Sequence, residues 1–243
     1  MLAAIGLVFV VLLGLGGWQV ARLQWKLDLI ARVDARVRAP VVDAPAARDW
    51  PGVTAASDAY RHVRVTGQFL YGRTVRVQAV TERGSGFWLL TPLRRPDGEV
   101  VLVNRGYVPA RTGDWLPGAG RIAAGDKDRA GTTTTVTGLL RISEPGGAFL
   151  RRNDPASNRW YSRDVGAIAA AMTLAPVAPY FVDADAASGG RRPDDPSGEQ
   201  PVGGLTVIAF HNSHLVYAIT WFALALLLAA GVAWNWRGEL RQA

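Results

Sequence analysis

Two charge-free stretches, one near each end of the chain, limit what this sequence can fold into more than any other feature. Residues 2–20 and 215–236 contain no Asp, Glu, Lys or Arg. Each run of about 19–22 residues reaches roughly 28–33 Å as a helix, which matches the hydrocarbon thickness of a bilayer. The pattern predicts two transmembrane helices. The first run has no basic segment before it and no small-residue cleavage signal after it, where "GGWQVARLQWK" follows directly. It therefore reads as a retained anchor and not as a cleaved signal peptide. Trp18, Tyr217, Trp221, Trp234 and Trp236 stand at the ends of the runs, where aromatic belts meet the headgroups.

This parses the chain into a first transmembrane helix (1–21), one extramembrane domain (22–213), a second transmembrane helix (214–236) and a short tail (237–243). Arg22, Lys26, Arg32, Arg36 and Arg38 follow the first run, and nothing basic precedes it. A bare charge count thus places the domain in the cytoplasm. Long domains cross the membrane largely regardless of charge, however, and the tail "NWRGELRQA" is short and basic. The expected topology has the tail cytoplasmic and the domain outside, and a short basic leader upstream of Met1 would reconcile the count.

Lys and Arg total 27 against 20 Asp and Glu, a formal net charge of +7, and 25 of the 27 are arginines. They are scattered along the chain, which reads as background composition more than as a binding patch. A basic surface suits anionic lipid and acidic partners. No nucleic-acid motif or aromatic-interleaved basic stripe is present, so no nucleic acid is expected as a partner. The absence of cysteine excludes disulfides, thiolate metal sites, C-x-x-C redox chemistry and covalent c-type haem attachment.

Between the membrane runs the period changes. "WKLDLIARVDARV" carries apolar residues at 27, 29, 30, 33 and 37, a helical stripe that extends the first helix until Pro40. "APVVDAPAARDWPG" is an extended, proline-punctuated connector. "HVRVTGQF" and "TVRVQAV" alternate, whereas "GFWLLTPL" and "EVVLVNRGYV" are continuously apolar, as strands buried on both faces are. Asp97-Gly98 is the expected reversal between these two. "TTTTVTGLLRI", "VAPYFVDA" and "LTVIAF" bring the count to about seven strands, with one short helix at "SRDVGAIAAAM" capped by Ser162 or Asp164. Residues 111–131 and 185–204 read as surface loops. The fold class is a mainly β domain, barrel or sandwich, inserted between two transmembrane α-helices.

No nucleophile elbow, H-E-x-x-H, P-loop or dinucleotide fingerprint occurs. Asp154, Asp164, Asp183 and Asp185 read as solvated loop or cap carboxylates, and His62 as a surface residue at a strand start. What is present, in order, is "GGWQVARLQWKLDLI", "VRVTGQF", "GFWLLTPLRRPDGEVVLVNRGYVP", "VTGLLR" and "HLVYAITWFALAL". That succession, from Gly17 to about Leu226, resembles the surfeit locus protein 1 family in its proteobacterial form. The resemblance implies a non-catalytic assembly factor for haem a-containing cytochrome c oxidase. It places the protein in the cell inner membrane with its domain periplasmic, and it implies haem a as a bound cofactor. The implied partners are the oxidase catalytic subunit, membrane lipid and, as a further candidate, haem a synthase.

The same resemblance directs attention to His214 in "NSHLVYA", where the family more often has Asn in place of Ser213. A neutral imidazole is a good axial ligand for haem iron, and an ionisable side chain at a membrane helix is a functional hypothesis by default. On a helix His211, His214, Ala218 and Trp221 share one face. Ala218 leaves room for a porphyrin edge against which Trp221 stacks, and Tyr217 is a further cofactor contact. The competing reading is an interfacial histidine bonded to headgroups or to a backbone carbonyl. Gln19, polar at the helix end, is expected to meet the second helix or the cofactor. Arg105 either braces the turn at Gly106 or grips a haem propionate or an oxidase carboxylate. Two rival functions remain in view: a scaffold that docks on the oxidase catalytic subunit without haem, and a periplasmic-face enzyme, which lacks any nucleophile or metal motif to support it.

Overall fold

Alternation of Val with polar residues makes strands where one face is covered, and here it meets strands covered on both. The computed structural model describes residues 2–110, 131–146, 151–188, 201–206 and 212–240. It divides into two compact units, residues 35–207 and the remainder formed by residues 1–34 with 208–243. Each is described by itself.

The larger unit contains β1 (Val42–Asp43), β2 (His62–Phe69), β3 (Val75–Thr81), β4 (Gly84–Arg94), β5 (Val100–Pro109), β6 (Thr133–Ile142) and β7 (Val177–Ala184). Five strands form a ring in the order β2-β6-β7-β5-β4, closed where β2 meets β4 at Gln68↔Arg94 and Phe69↔Leu93. β3 continues the sheet beyond β4, and the two-residue β1 runs parallel to the start of β2. β5 and β7 are parallel, and the other ring pairs are antiparallel.

One apolar cluster draws on all five ring strands, with Val63, Val65, Leu93, Val101, Val103, Val136, Leu140 and Val182 among its members. A second joins Val75, Val77, Leu90, Val100, Leu102 and Phe181 to Trp160 and Ile168. β5 therefore sends Val101 and Val103 into one cluster and Val100 and Leu102 into the other. This is why its sequence is continuously apolar. Ile168 belongs to α3 (Val165–Ala171), whose N-cap is Asp164: its carboxylate accepts the Ala167 N–H at 3.1 Å. A four-residue helix, α2 (Ala55–Asp58), precedes β2.

Two glycines show how tightly the ring is drawn. A Cβ on Gly138 would lie 2.2 Å from the Asp183 carbonyl oxygen. Gly106 has φ +130°, and a Cβ there would lie 2.4 Å from the Val202 backbone, which exchanges both amide hydrogen bonds with Tyr107. The reversal at Asp97-Gly98 is as expected, with Gly98 at φ +88° and Asp97 Oδ1 accepting the Glu99 N–H at 3.0 Å.

Three expectations need adjustment. The connector after Pro40 contributes β1 and a 3-10 turn over Ala47–Gly52. In "LTVIAF", Leu205 and Thr206 are not in a strand, and residues 207–210 lie outside the described residues. The loops expected at 111–131 and 185–204 also lie largely outside them. The third adjustment concerns Asp183: it is not a solvated loop carboxylate but a β7 residue only 4% exposed.

In the helical unit, α1 (Leu2–Val37) is one continuous helix through the basic stretch, ending before Pro40. α4 (His214–Leu240) carries the second apolar run. Both are long and apolar enough to cross a membrane. Apolar side chains such as Leu7, Val10, Leu226 and Leu227 are exposed, an outer surface that suits lipid and not water.

Candidate functional site

The polar residues of the helical unit have few places to find hydrogen-bond partners, and two of them find each other. His214 is the first residue of α4, and the Asn212 side chain accepts its backbone N–H at 3.3 Å. The imidazole Nδ1 lies 2.8 Å from Gln19 Oε1 on α1. Gln19 is only 9% exposed, so this bond satisfies an amide oxygen that would otherwise be buried at a cost of about 1–3 kcal/mol. Gly16, one turn before Gln19, lets the Phe222 ring come close: a Cβ there would lie 2.6 Å from it. The less exposed positions of α4 are His214, Ala218, Trp221, Ala225, Leu228 and Val232, a stripe recurring every three or four residues.

Ala218 is buried, one turn beyond His214, and Trp221 is half-buried on the same stripe. Tyr217 stands off that stripe and is 52% exposed. The sequence reading thus holds for the pairing of Gln19 with the second helix and for the shared face of His214, Ala218 and Trp221. His211 lies outside the described residues. Among those described, His214 Nε2 has no hydrogen-bond partner. One imidazole with one nitrogen engaged and the other open, beside a small residue and an indole, is chemically able to act as a metal ligand.

The barrel unit holds a polar cluster of a different kind. Asp183 accepts hydrogen bonds from Asn104 Nδ2 at 2.8 Å, Arg141 Nη1 at 3.0 Å, Arg163 Nη1 at 3.2 Å and Thr206 Oγ1 at 3.1 Å. The same two arginines clasp Glu144, with Arg141 Nη2 at 2.7 Å and Arg163 Nε at 2.9 Å. Their guanidinium planes also lie over aromatic rings, Arg141 over Tyr60 at 4.8 Å and Arg163 over Phe181 at 4.9 Å. Two cations and two carboxylates close on one another here. The sequence reading missed this cluster. The available signal was a carboxylate inside "VAPYFVDA", a run predicted to be a strand, since a buried Asp must have partners.

Arg105 belongs to this barrel unit. It is 4% exposed, with its guanidinium 4.9 Å from the Tyr71 ring centroid and 5.6 Å from that of Phe69. The turn beside it is braced by Asn104, whose Oδ1 accepts the Gly106 N–H at 3.1 Å. His62 does start β2, and its Nε2 lies 2.7 Å from Asp185 Oδ2.

Burial tends to raise the Asp58 carboxyl, but hydrogen bonds from Ser57, Arg61 and the Thr54 N–H outweigh it and hold the group below the usual carboxylate range. Burial pushes the Tyr180 hydroxyl well above the usual phenol range; it donates to the Pro45 carbonyl at 2.7 Å.

Against known proteins, the family model described as "SURF1 family" matches residues 6–226. A SURF1-like protein of Monosiga brevicollis is 34% identical over 234 residues, covering 91% of this chain and 82% of its own. Surfeit locus protein 1 of Homo sapiens is 32% identical over 236 residues, with 90% and 72% covered. The Rattus norvegicus protein of that name is 31% identical over 227 residues, with 87% and 67% covered.

Proposed function

This chain belongs to the SURF1 family, and from that premise we propose that it is a membrane-anchored assembly factor for haem a-containing cytochrome c oxidase, one that binds haem a and assists its insertion into the catalytic subunit. The observation that carries this reading is the His214 imidazole, held at one nitrogen by Gln19 and open at the other. Haem a, when bound, would supply an iron that His214 would hold through its neutral imidazole.

The chain's own residues divide the remaining work. Ala218 presents a small surface beside the imidazole, while Trp221 and Tyr217 offer aromatic faces on and beside the same stripe. The burial of Arg105 over Phe69 and Tyr71 supports an internal role for it in preference to a grip on a propionate. The role is binding and docking, not turnover. We assign both helices to the cell inner membrane and the barrel to the periplasmic side, with the oxidase catalytic subunit, membrane lipid and haem a synthase as partners.

The test is the absorbance spectrum of the detergent-purified chain, co-expressed with a haem a-producing pathway. A haem a spectrum in the wild type that His214→Ala abolishes, with the barrel still folded, is the expected outcome. A colourless wild type that still co-purifies with the oxidase subunit would overturn haem carriage and leave haem-independent docking as the function.

A further inference from the structure

We infer that Gln19 is a positioning residue that fixes His214 in its Nδ1–H tautomer and thereby makes Nε2 the nitrogen that meets a metal. The identity of that metal as haem iron rests on the function proposed above; the tautomer does not. A carbonyl oxygen is an acceptor only, so a ring nitrogen 2.8 Å from Gln19 Oε1 must carry a proton. Neutral imidazole has one N–H, and with it at Nδ1 the Nε2 lone pair is bare. The opposite tautomer would set two lone pairs against each other at a position where Gln19 is 9% exposed and water is scarce. Reversing the amide would instead let its NH2 group donate to Nδ1, put the proton on Nε2 and disable that nitrogen as a ligand. The orientation of one glutamine amide therefore decides whether this histidine can bind metal through Nε2.

The geometry makes Gln19 more than a packing contact. Metal-binding histidines generally donate their second ring N–H to an oxygen that sets the tautomer and ring orientation, and losing that oxygen costs about 10–100-fold in metal affinity. Here the oxygen comes from a different helix, so the angle of the ring is also tied to the contact between α1 and α4.

The experiment uses the full-length chain in detergent, labelled with 15N-histidine, and hemin as the metal probe. Only His62, His211 and His214 give signals, and His214→Ala assigns the one of interest. The wild type is expected to show Nδ1–H at His214. Gln19→Leu is expected to shift it to the Nε2–H form and to weaken hemin binding about 10–100-fold. Gln19→Glu, which keeps an acceptor oxygen, is expected to retain both the tautomer and most of the affinity. An unchanged His62 signal reports that the barrel remains folded in each variant. Nε2–H in the wild type, an unchanged tautomer in Gln19→Leu, or unchanged hemin affinity in that variant would each overturn the inference. If the wild type shows Nδ1–H yet takes up no hemin, the haem reading fails and the tautomer assignment stands.

Discussion

Two polar sites among the described residues, one in the barrel and one in the helical unit, differ in how completely they are satisfied. Asp183 in the barrel receives Asn104, Arg141, Arg163 and Thr206, and the two arginines are shared with Glu144. Among the described residues the His214 imidazole has one hydrogen-bond partner, Gln19, and its second nitrogen is open. Both are polar groups in apolar surroundings, where an unmatched hydrogen bond is expensive. A closed set such as the Asp183 cluster has no valence left for a ligand and serves to hold strands together. An open valence at a helix end is the kind of site a ligand completes. Charge alone points to the barrel cluster, which is far richer in ionisable groups, whereas the open valence lies at His214.

The largest blow to this contrast comes from Asp183→Ala, which removes the buried carboxylate shared by Asn104, Thr206 and two partly buried arginines and leaves those arginines with Glu144 as their one carboxylate. It is expected to destabilise the barrel by about 3–5 kcal/mol, read by chemical denaturation in detergent. Wild-type stability in that variant would mean that the cluster is not structural. Gly138→Ala sharpens the same point through the backbone. Its Cβ meets the Asp183 carbonyl oxygen, which cannot yield without moving β7, so a loss of about 1–3 kcal/mol is expected. Asp164→Ala removes the cap of α3 and should lower stability by about 1 kcal/mol, measured the same way.

A further effect depends on pH. Because Asp58 is held below its ordinary range in the folded chain, it contributes stability above about pH 4, where the unfolded group is already ionised. That contribution is lost as pH falls through the folded value. Asp58→Asn should therefore flatten the acid limb of the melting-temperature profile; an unchanged limb would assign acid sensitivity to other carboxylates. The smallest effect is expected at Gly16→Ala. The atoms in its way belong to the Phe222 ring, which can turn aside, so stability should change by less than about 0.5 kcal/mol. A loss as large as that of Gly138→Ala would show that the helix contact is as rigid as the barrel.

Sequence alone went far with the elements and less far with their partners. Alternation identified the buried faces of β2 and β3, where Val63, Val65, Val75 and Val77 are all at most 3% exposed. The unbroken apolar runs were correctly taken as strands covered on both faces. Helical spacing placed His214, Ala218 and Trp221 on one face, and the position of Gln19 suggested contact with the other helix. What escaped was the strand pairing and the barrel's polar cluster, both set at long separation. Nothing local in "VVDAP" announces that Val42 and Asp43 will lie along β2, and the ring closure of β2 on β4 rests on two residue pairs. Asp183 was misread for the same reason. Its partners lie up to 79 residues away, at Asn104, and no spacing rule reaches that far.

The strand order has a consequence for how the protein is made. β7 is the last strand of the ring in sequence, yet it sits between β6 and β5 and holds both. Until it is synthesised, the nascent chain has two open strand edges and half of its polar cluster unmatched, because Asp183 arrives with β7. Native closure of the ring is thus postponed until nearly all of the segment between the two helices has left the ribosome. Such late, non-local closure is slow compared with hairpin formation. Any chain terminated before Val177 would lack the strand that joins the two halves, so early termination is expected to yield no partly useful barrel, only exposed edges for proteases and chaperones to find.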